Sequence, residues 1–305
     1  MMNSRKQIDI SPFRHLYPFR SHYLDRGGYR CHYLDEGNGH PVVMVHGNPT
    51  WSFYFRHLTG ALSQEYRTIV PDHVGCGFSD KPDERAYGYR LQDRGDDLTA
   101  LLDHLGLKKN LTLIVHDWGG MIGAAFATNY PERVRRLVVT NTAAFLKPAH
   151  KKLPMRLRLI RNASFLARPA VLRFNLFARA ALFMATRKGL APAVRAGLVA
   201  PYNCPANRMA TLKFVQDIPL DRNDPSYALA EQTQDRLGLL KEIPMLLLWG
   251  RGDFVFDIDY FREWQRRFPE AESHLFPDAG HYLFEDEAEA TTQLISDFLS
   301  RHSIP

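Results

Sequence analysis

The chain has 305 residues, 45% hydrophobic and 24% charged, with 39 Lys and Arg against 33 Asp and Glu for a formal net charge of +6. That length suits one large domain with an inserted subdomain, or two small domains, and the composition is that of a soluble globular protein. No repeat or low-complexity tract interrupts it, which excludes solenoid and fibrous classes.

The first twenty residues hold no continuous apolar core, so no secretory signal is expected. Stretches 21–25 and 29–35, around Gly27-Gly28, read as an antiparallel hairpin. Residues 41–46, 66–71, 111–116 and 136–141 are short, apolar and β-branched, and predict buried strands. Helical spacing occupies 51–64, 91–105 and 119–130 between them. Because the strands are apolar throughout rather than alternating, the sheet should be covered on both faces, hence mostly parallel with crossover helices. The same pattern returns after residue 240, with strands 245–249 and 271–276 and helices 260–267 and 287–301. The fold class expected is α/β, a mostly parallel central sheet flanked by helices with an inserted helical cap. Residues 1–144 and 240–305 would form the core and 145–239 the cap.

The stretch 145–239 has no strand-like run. From Phe145 to Gln216 it has fourteen Lys and Arg and no Asp or Glu, so the rest of the chain carries −8, the difference between +6 and +14. Residues 164–184 are apolar enough to suggest a membrane span. Arg168, Pro169, Arg173 and Arg179 inside it argue against one, since a central Arg costs several kcal/mol in a bilayer. Cys31, Cys76 and Cys204 are odd in number and widely spaced, which gives neither a metal pair nor a disulfide framework and points to a reducing cytoplasm.

Val115-His116-Asp117-Trp118-Gly119-Gly120 follows a strand and opens a helix. This is the setting of a nucleophile elbow, whose small residues permit a tight, strained turn. The central residue is Asp117 where a hydrolase of this kind usually has Ser; the plainer reading is a helix N-cap. His281, after the final strand, stands where chain order requires the base. The strand after the elbow ends in Thr140-Asn141-Thr142, without a carboxylate, whereas the next ends in Trp249-Gly250-Arg251-Gly252-Asp253. Asp253 is therefore the orienting acid of choice. Asp257 is the fallback, better read as an N-cap. Asn48, in a turn after another strand, and Trp118 each offer a neutral N–H donor suited to a departing anion, although each alone could be a turn residue or a core aromatic.

With these motifs in order, HGNPTW, VPDHVGCGFSDKP, VHDWGG, GRGD and AGHY, the sequence resembles the haloalkane dehalogenases over nearly its whole length. It is most similar to the subfamily whose acid follows the strand after the insertion and whose halide pair is Asn plus Trp. The resemblance implies Asp117 as nucleophile, His281 as base, Asp253 as its partner, and Asn48 with Trp118 as the halide clamp. It implies no cofactor and no metal. The same subfamily is similar to the β-lactone decarboxylases of long-chain olefin synthesis, a branch that Val139–Phe145 (VTNTAAF) and the basic insertion also resemble.

The expected activity is hydrolytic dehalogenation of haloalkanes through an alkyl ester on Asp117, with water activated by His281. The alternative is β-lactone decarboxylation to a cis-alkene by the same Asp. Epoxide hydrolysis ranks lower, because it needs cap tyrosines and the insertion and its exit offer only Tyr202 and Tyr227. A ligand-sensing relative would be favoured by a broken triad, and all its members are present. The expected ligands are a small apolar substrate and water. Nucleic acid is not expected, since no stacking or groove-reading motif accompanies the charge. The basic insertion suits an anionic lipid surface or an acidic partner, so membrane association is compatible with a cytoplasmic protein, as is a homo-oligomer.

Overall fold

The computed structural model describes residues 7–148 and 150–304. The first six residues, which open the stretch expected to hold no secretory signal, lie outside the described residues. Eight strands form one sheet in the order β1-β2-β4-β3-β5-β6-β7-β8. They are β1 (Ser21–Asp25), β2 (Arg30–Glu36), β3 (Pro41–Val45), β4 (Arg67–Pro71), β5 (Leu111–Asp117), β6 (Val134–Thr142), β7 (Met245–Gly250) and β8 (Glu272–Phe276). The hairpin β1–β2 is antiparallel and joins β4 antiparallel, while every pairing from β4 through β8 is parallel. Every residue of β5 and β7 is buried, the consequence of a sheet covered on both faces.

The covering helices are α1 (Arg56–Leu62), α2 (Leu91–His104) and α3 (Trp118–Asn129) in the first part of the chain. The expected helix 51–64 is divided: Ser52–Phe55 forms a 3-10 turn before α1, with its three aromatic rings fully buried. Between β6 and β7 the described residues form α4 (Met155–Asn162), α5 (Ser164–Arg168), α6 (Leu176–Met184), α7 (Pro192–Val199), α8 (Met209–Gln216) and α9 (Tyr227–Arg236), and no strand. The apolar run 164–184 is not one helix. Pro169 follows the end of α5, a π turn occupies Pro169–Arg173, and Asn175 takes a left-handed φ of 55° before α6 starts. Among the described residues no helix is long and apolar enough to cross a membrane. The last part adds α10 (Ile258–Arg267), α11 (Leu283–Asp286) and α12 (Ala288–Arg301).

Parallel pairing has one consequence for chemistry. The loops after β3, β5, β7 and β8 all leave the same edge of the sheet, so residues distant in sequence meet there.

Candidate active site

Asp117 ends β5 with φ 52° and ψ −127°, a conformation that side-chain-bearing residues rarely adopt. The turn is possible because its neighbours are glycines. A Cβ on Gly119 would strike the Val45 carbonyl, and one on Gly47 would strike the Asp117 carboxylate itself. The Thr142 hydroxyl donates to the Asp117 carbonyl and fixes the far side of the turn. Asp117 Oδ1 accepts the backbone N–H of Asn48 at 2.8 Å and of Trp118 at 2.6 Å. Asp117 therefore does cap α3, and its other oxygen, Oδ2, points to His281 Nε2 at 3.3 Å.

His281 Nδ1 donates to Asp253 Oδ2 at 2.7 Å. That carboxylate is held from all sides: Oδ2 also accepts Asn141 Nδ2 at 3.0 Å, and Oδ1 accepts the N–H groups of Val255 and Phe256 at 2.7 and 3.1 Å. Asn141, which could not supply a charge, instead bridges β6 to the end of β7, exchanging hydrogen bonds with Gly250 as well. Asp257 caps α10 through the Asp259 N–H and binds Lys151, and does not hydrogen-bond His281.

Burial lowers the His281 pKa, but the Asp253 and Asp117 carboxylates outweigh it and raise the imidazole to about 10. The ring of His116 lies 4.7 Å from that of His281. Burial, and then the charge of His281, hold the His116 pKa well below its ordinary value. His116 is thus neutral and adds no second positive charge.

Asn48 and Trp118 both face a cavity of about 430 Å³ with Asp117 and His281 at its floor. One N–H of the Asn48 amide is taken by the Thr211 carbonyl at 3.1 Å, and its Oδ1 has no partner. A second N–H on the same nitrogen remains. The Trp118 indole rests 5.5 Å from the Phe214 ring, and beneath Phe214 the buried Arg94 guanidinium lies 3.6 Å from the ring centroid. Arg94 pairs with Asp217 at 3.5 Å. Away from the floor the walls are mainly apolar, including Phe145, Leu157, Ile160, Val171, Phe177, Val215 and Ile218, with Lys147, Lys151, Lys152 and Arg156 also contributing. Tyr202 and Tyr227 are not among the lining residues, and the Tyr202 hydroxyl donates to the Thr50 carbonyl at 3.3 Å.

Sequence reasoning missed Asn141 as a donor to Asp253, the support of Trp118 by Phe214 and Arg94, and the tyrosines Tyr260 and Tyr282 in the cavity wall. Only Tyr282 had a usable signal, being adjacent to His281.

The α/β hydrolase fold family matches residues 40–288. A cis-3-alkyl-4-alkyloxetan-2-one decarboxylase of Shewanella oneidensis is 48% identical over 286 residues, covering 93% of this chain and 90% of that protein. A protein of the same name from Xanthomonas campestris pv. campestris is 42% identical over 304 residues, 98% of this chain and 97% of its own. Haloalkane dehalogenase 2 of Mycobacterium bovis is 32% identical over 280 residues, covering 92% and 94%. The chain belongs to the α/β-hydrolase-fold family and is an enzyme of the group that includes dehalogenases and β-lactone decarboxylases.

Proposed function

We propose that, within this family, the chain decarboxylates cis-3,4-dialkyl β-lactones to cis-alkenes, with Asp117 as nucleophile. This reverses the ranking reached from the sequence, where dehalogenation came first. The observation that carries the reading is the similarity to the two proteins named as decarboxylases, 48% and 42% identical, against 32% for the dehalogenase. An apolar cavity of about 430 Å³ above a carboxylate supports it, since two alkyl branches need such walls.

The chemistry follows from the arrangement. Asp117 Oδ2 attacks ring carbon C4, the C4–O bond breaks, and the ring oxygen leaves as a carboxylate. The second Asn48 amide N–H and the Trp118 indole N–H would receive it, and the cationic His281 would balance its charge. The C2–C3 bond then breaks, its electron pair forms C3=C4, and the C4–Oδ2 pair returns to Asp117. The products are carbon dioxide and alkene, and neither water nor a proton is consumed. Inversion at C4 followed by anti elimination keeps both alkyl groups on one side, so a cis lactone gives a cis alkene. The Asn48 and Trp118 backbone N–H groups on Oδ1 favour departure of Asp117 by stabilising the returning negative charge.

Dehalogenation is retained as a second reading because the Asn48 and Trp118 donors also suit a leaving halide. Parallel assays of a dialkyl β-lactone and a terminal bromoalkane separate the two. Alkene formation should exceed halide release by about 10³-fold, roughly 4 kcal/mol of transition-state preference, and vanish in Asp117→Ala. Halide release equal to or above alkene formation overturns the proposal.

A further inference from the structure

Seven of the eleven large hydrophobic side chains exposed among the described residues fall between Met155 and Phe183. They are not scattered. On α4, Met155, Arg158, Leu159 and Asn162 are all exposed, and on α6, Leu176, Arg179, Ala180 and Phe183 are all exposed. Both sets follow the i, i+3, i+4, i+7 spacing of a single helical face. A helix on a water-soluble surface turns that face inward and a polar face outward. Here the outward face is apolar and cationic. Phe165 on α5 and Phe174 after the π turn add to it, with Phe165 89%, Met155 84% and Phe183 67% exposed. A monomer in water seldom leaves so many large apolar groups together.

The charges around them divide into two groups. Lys151, Arg161, Arg168, Lys188 and Lys213 are paired with Asp257, Asp224, Glu84, Glu287 and again Glu84, carboxylates that lie outside the carboxylate-free stretch. Lys152, Arg158, Arg173 and Arg179 are exposed and form no ion pair among the described residues. The unneutralised cations are therefore interleaved with the exposed phenylalanines. Leu159 and Leu176 belong both to the outward faces and to the cavity lining, so the apolar surface is continuous with the cavity.

We infer that the face formed by α4, α5 and α6 docks on the surface of an anionic phospholipid bilayer. An acidic protein surface would satisfy the cations and leave the phenylalanines without an apolar partner. The interface of a bilayer satisfies both: headgroup phosphates take the guanidinium and ammonium groups, and the upper acyl region takes the apolar side chains. The docked orientation sets the cavity wall against the acyl region, where a lipophilic molecule can pass without crossing water.

The test is recovery of the full chain on sedimented vesicles, of phosphatidylcholine alone and with about one-third phosphatidylglycerol, at low and high salt. Strong recovery is expected on the anionic vesicles at low salt, and weaker recovery at high salt. Each cation near an anionic surface is worth roughly five-fold in partitioning, so Arg158→Glu, Arg173→Glu and Arg179→Glu together should lower it at least about 100-fold. Phe165→Ser, Phe174→Ser and Phe183→Ser together should lower it on the order of ten-fold or more. None of these six residues lines the cavity, and both variants should melt with the wild type. Equal recovery on neutral and anionic vesicles overturns the inference, as does no recovery on either. Self-association that both variants abolish, without vesicle binding by the wild type, overturns it in favour of an interface between two copies.

Discussion

At the carboxyl edge of the sheet the buried charged side chains have fixed partners. His281 is held by Asp253, Asp253 by Asn141 and two backbone N–H groups, and Arg56 by a two-pronged pair to Glu285 at 2.6 and 2.7 Å. Along α4 to α6 the balance shifts: Arg158, Arg173 and Arg179 are exposed and form no ion pair among the described residues, and Phe165, Phe174 and Phe183 are exposed, Phe183 with only Arg195 over its ring. Under the proposed function, charge would move in the first region without rearrangement of its surroundings, which is what electrostatic stabilisation of a transition state requires. The second has interactions left to make, which suits a surface that meets something else. Substitutions should therefore act on rate and stability at the floor, and on selectivity or binding above it.

The largest effect expected is at Asp253. Asp253→Asn should lower turnover of the β-lactone by about 10⁴-fold with the fold intact, measured by steady-state kinetics. Loss in Asp257→Asn instead would transfer the role to that residue. The pH profile bears on the same pair. The Asp117 and Asp253 carboxylates hold His281 in its charged form up to about 10 against the pull of burial. If the imidazolium balances the departing carboxylate, the rate is level from neutral pH upward and falls about ten-fold per pH unit beyond 10. A rate climbing over that window would mean that neutral imidazole is the working form.

Next comes stability at the carboxyl edge of the sheet. Arg56 also lies over the Phe53 ring, 4.3 Å from its centroid, and both members of its pair with Glu285 are buried. Arg56→Ala leaves Glu285 buried and uncompensated, and should destabilise the protein by about 3–5 kcal/mol in urea unfolding. Phe177 in the cavity wall should matter less: Phe177→Ala is expected to shift chain-length preference by about ten-fold in kcat/KM, measured across a series of lactones. The smallest effect is at the exposed Phe165, where Phe165→Ser should change unfolding free energy by no more than about 0.5 kcal/mol. A loss of several kcal/mol there would mean that α5 packs against the rest of the protein, and would remove the contrast drawn between the two regions.

Most strands were legible because a buried parallel strand is written in consecutive residues. Stretch 111–116 became β5 with one residue added, and 245–249 became β7 likewise. The elbow was legible for the same reason: strand, Asp117 and the glycines that permit its backbone turn are contiguous. The break in the apolar run 164–184 was legible in part: Pro169, which argued against a span, opens the π turn, whereas the left-handed Asn175 that completes the division had no such signal. The count of fourteen cations overstated the free charge, because the carboxylates that pair five of them come from residues 84, 224, 257 and 287.

What the sequence determined by itself is what neighbouring residues can encode: the strand pattern, the strained turn, and a carboxylate where a hydroxyl is usual. Tertiary structure decided which carboxylate His281 faces, that Asn141 steadies that carboxylate across 112 residues of chain, and which cations remain free. Those pairings depend on strand order and on where each loop leaves the sheet. Hydrophobic periodicity records which side of an element is buried and says nothing about the residue it will meet.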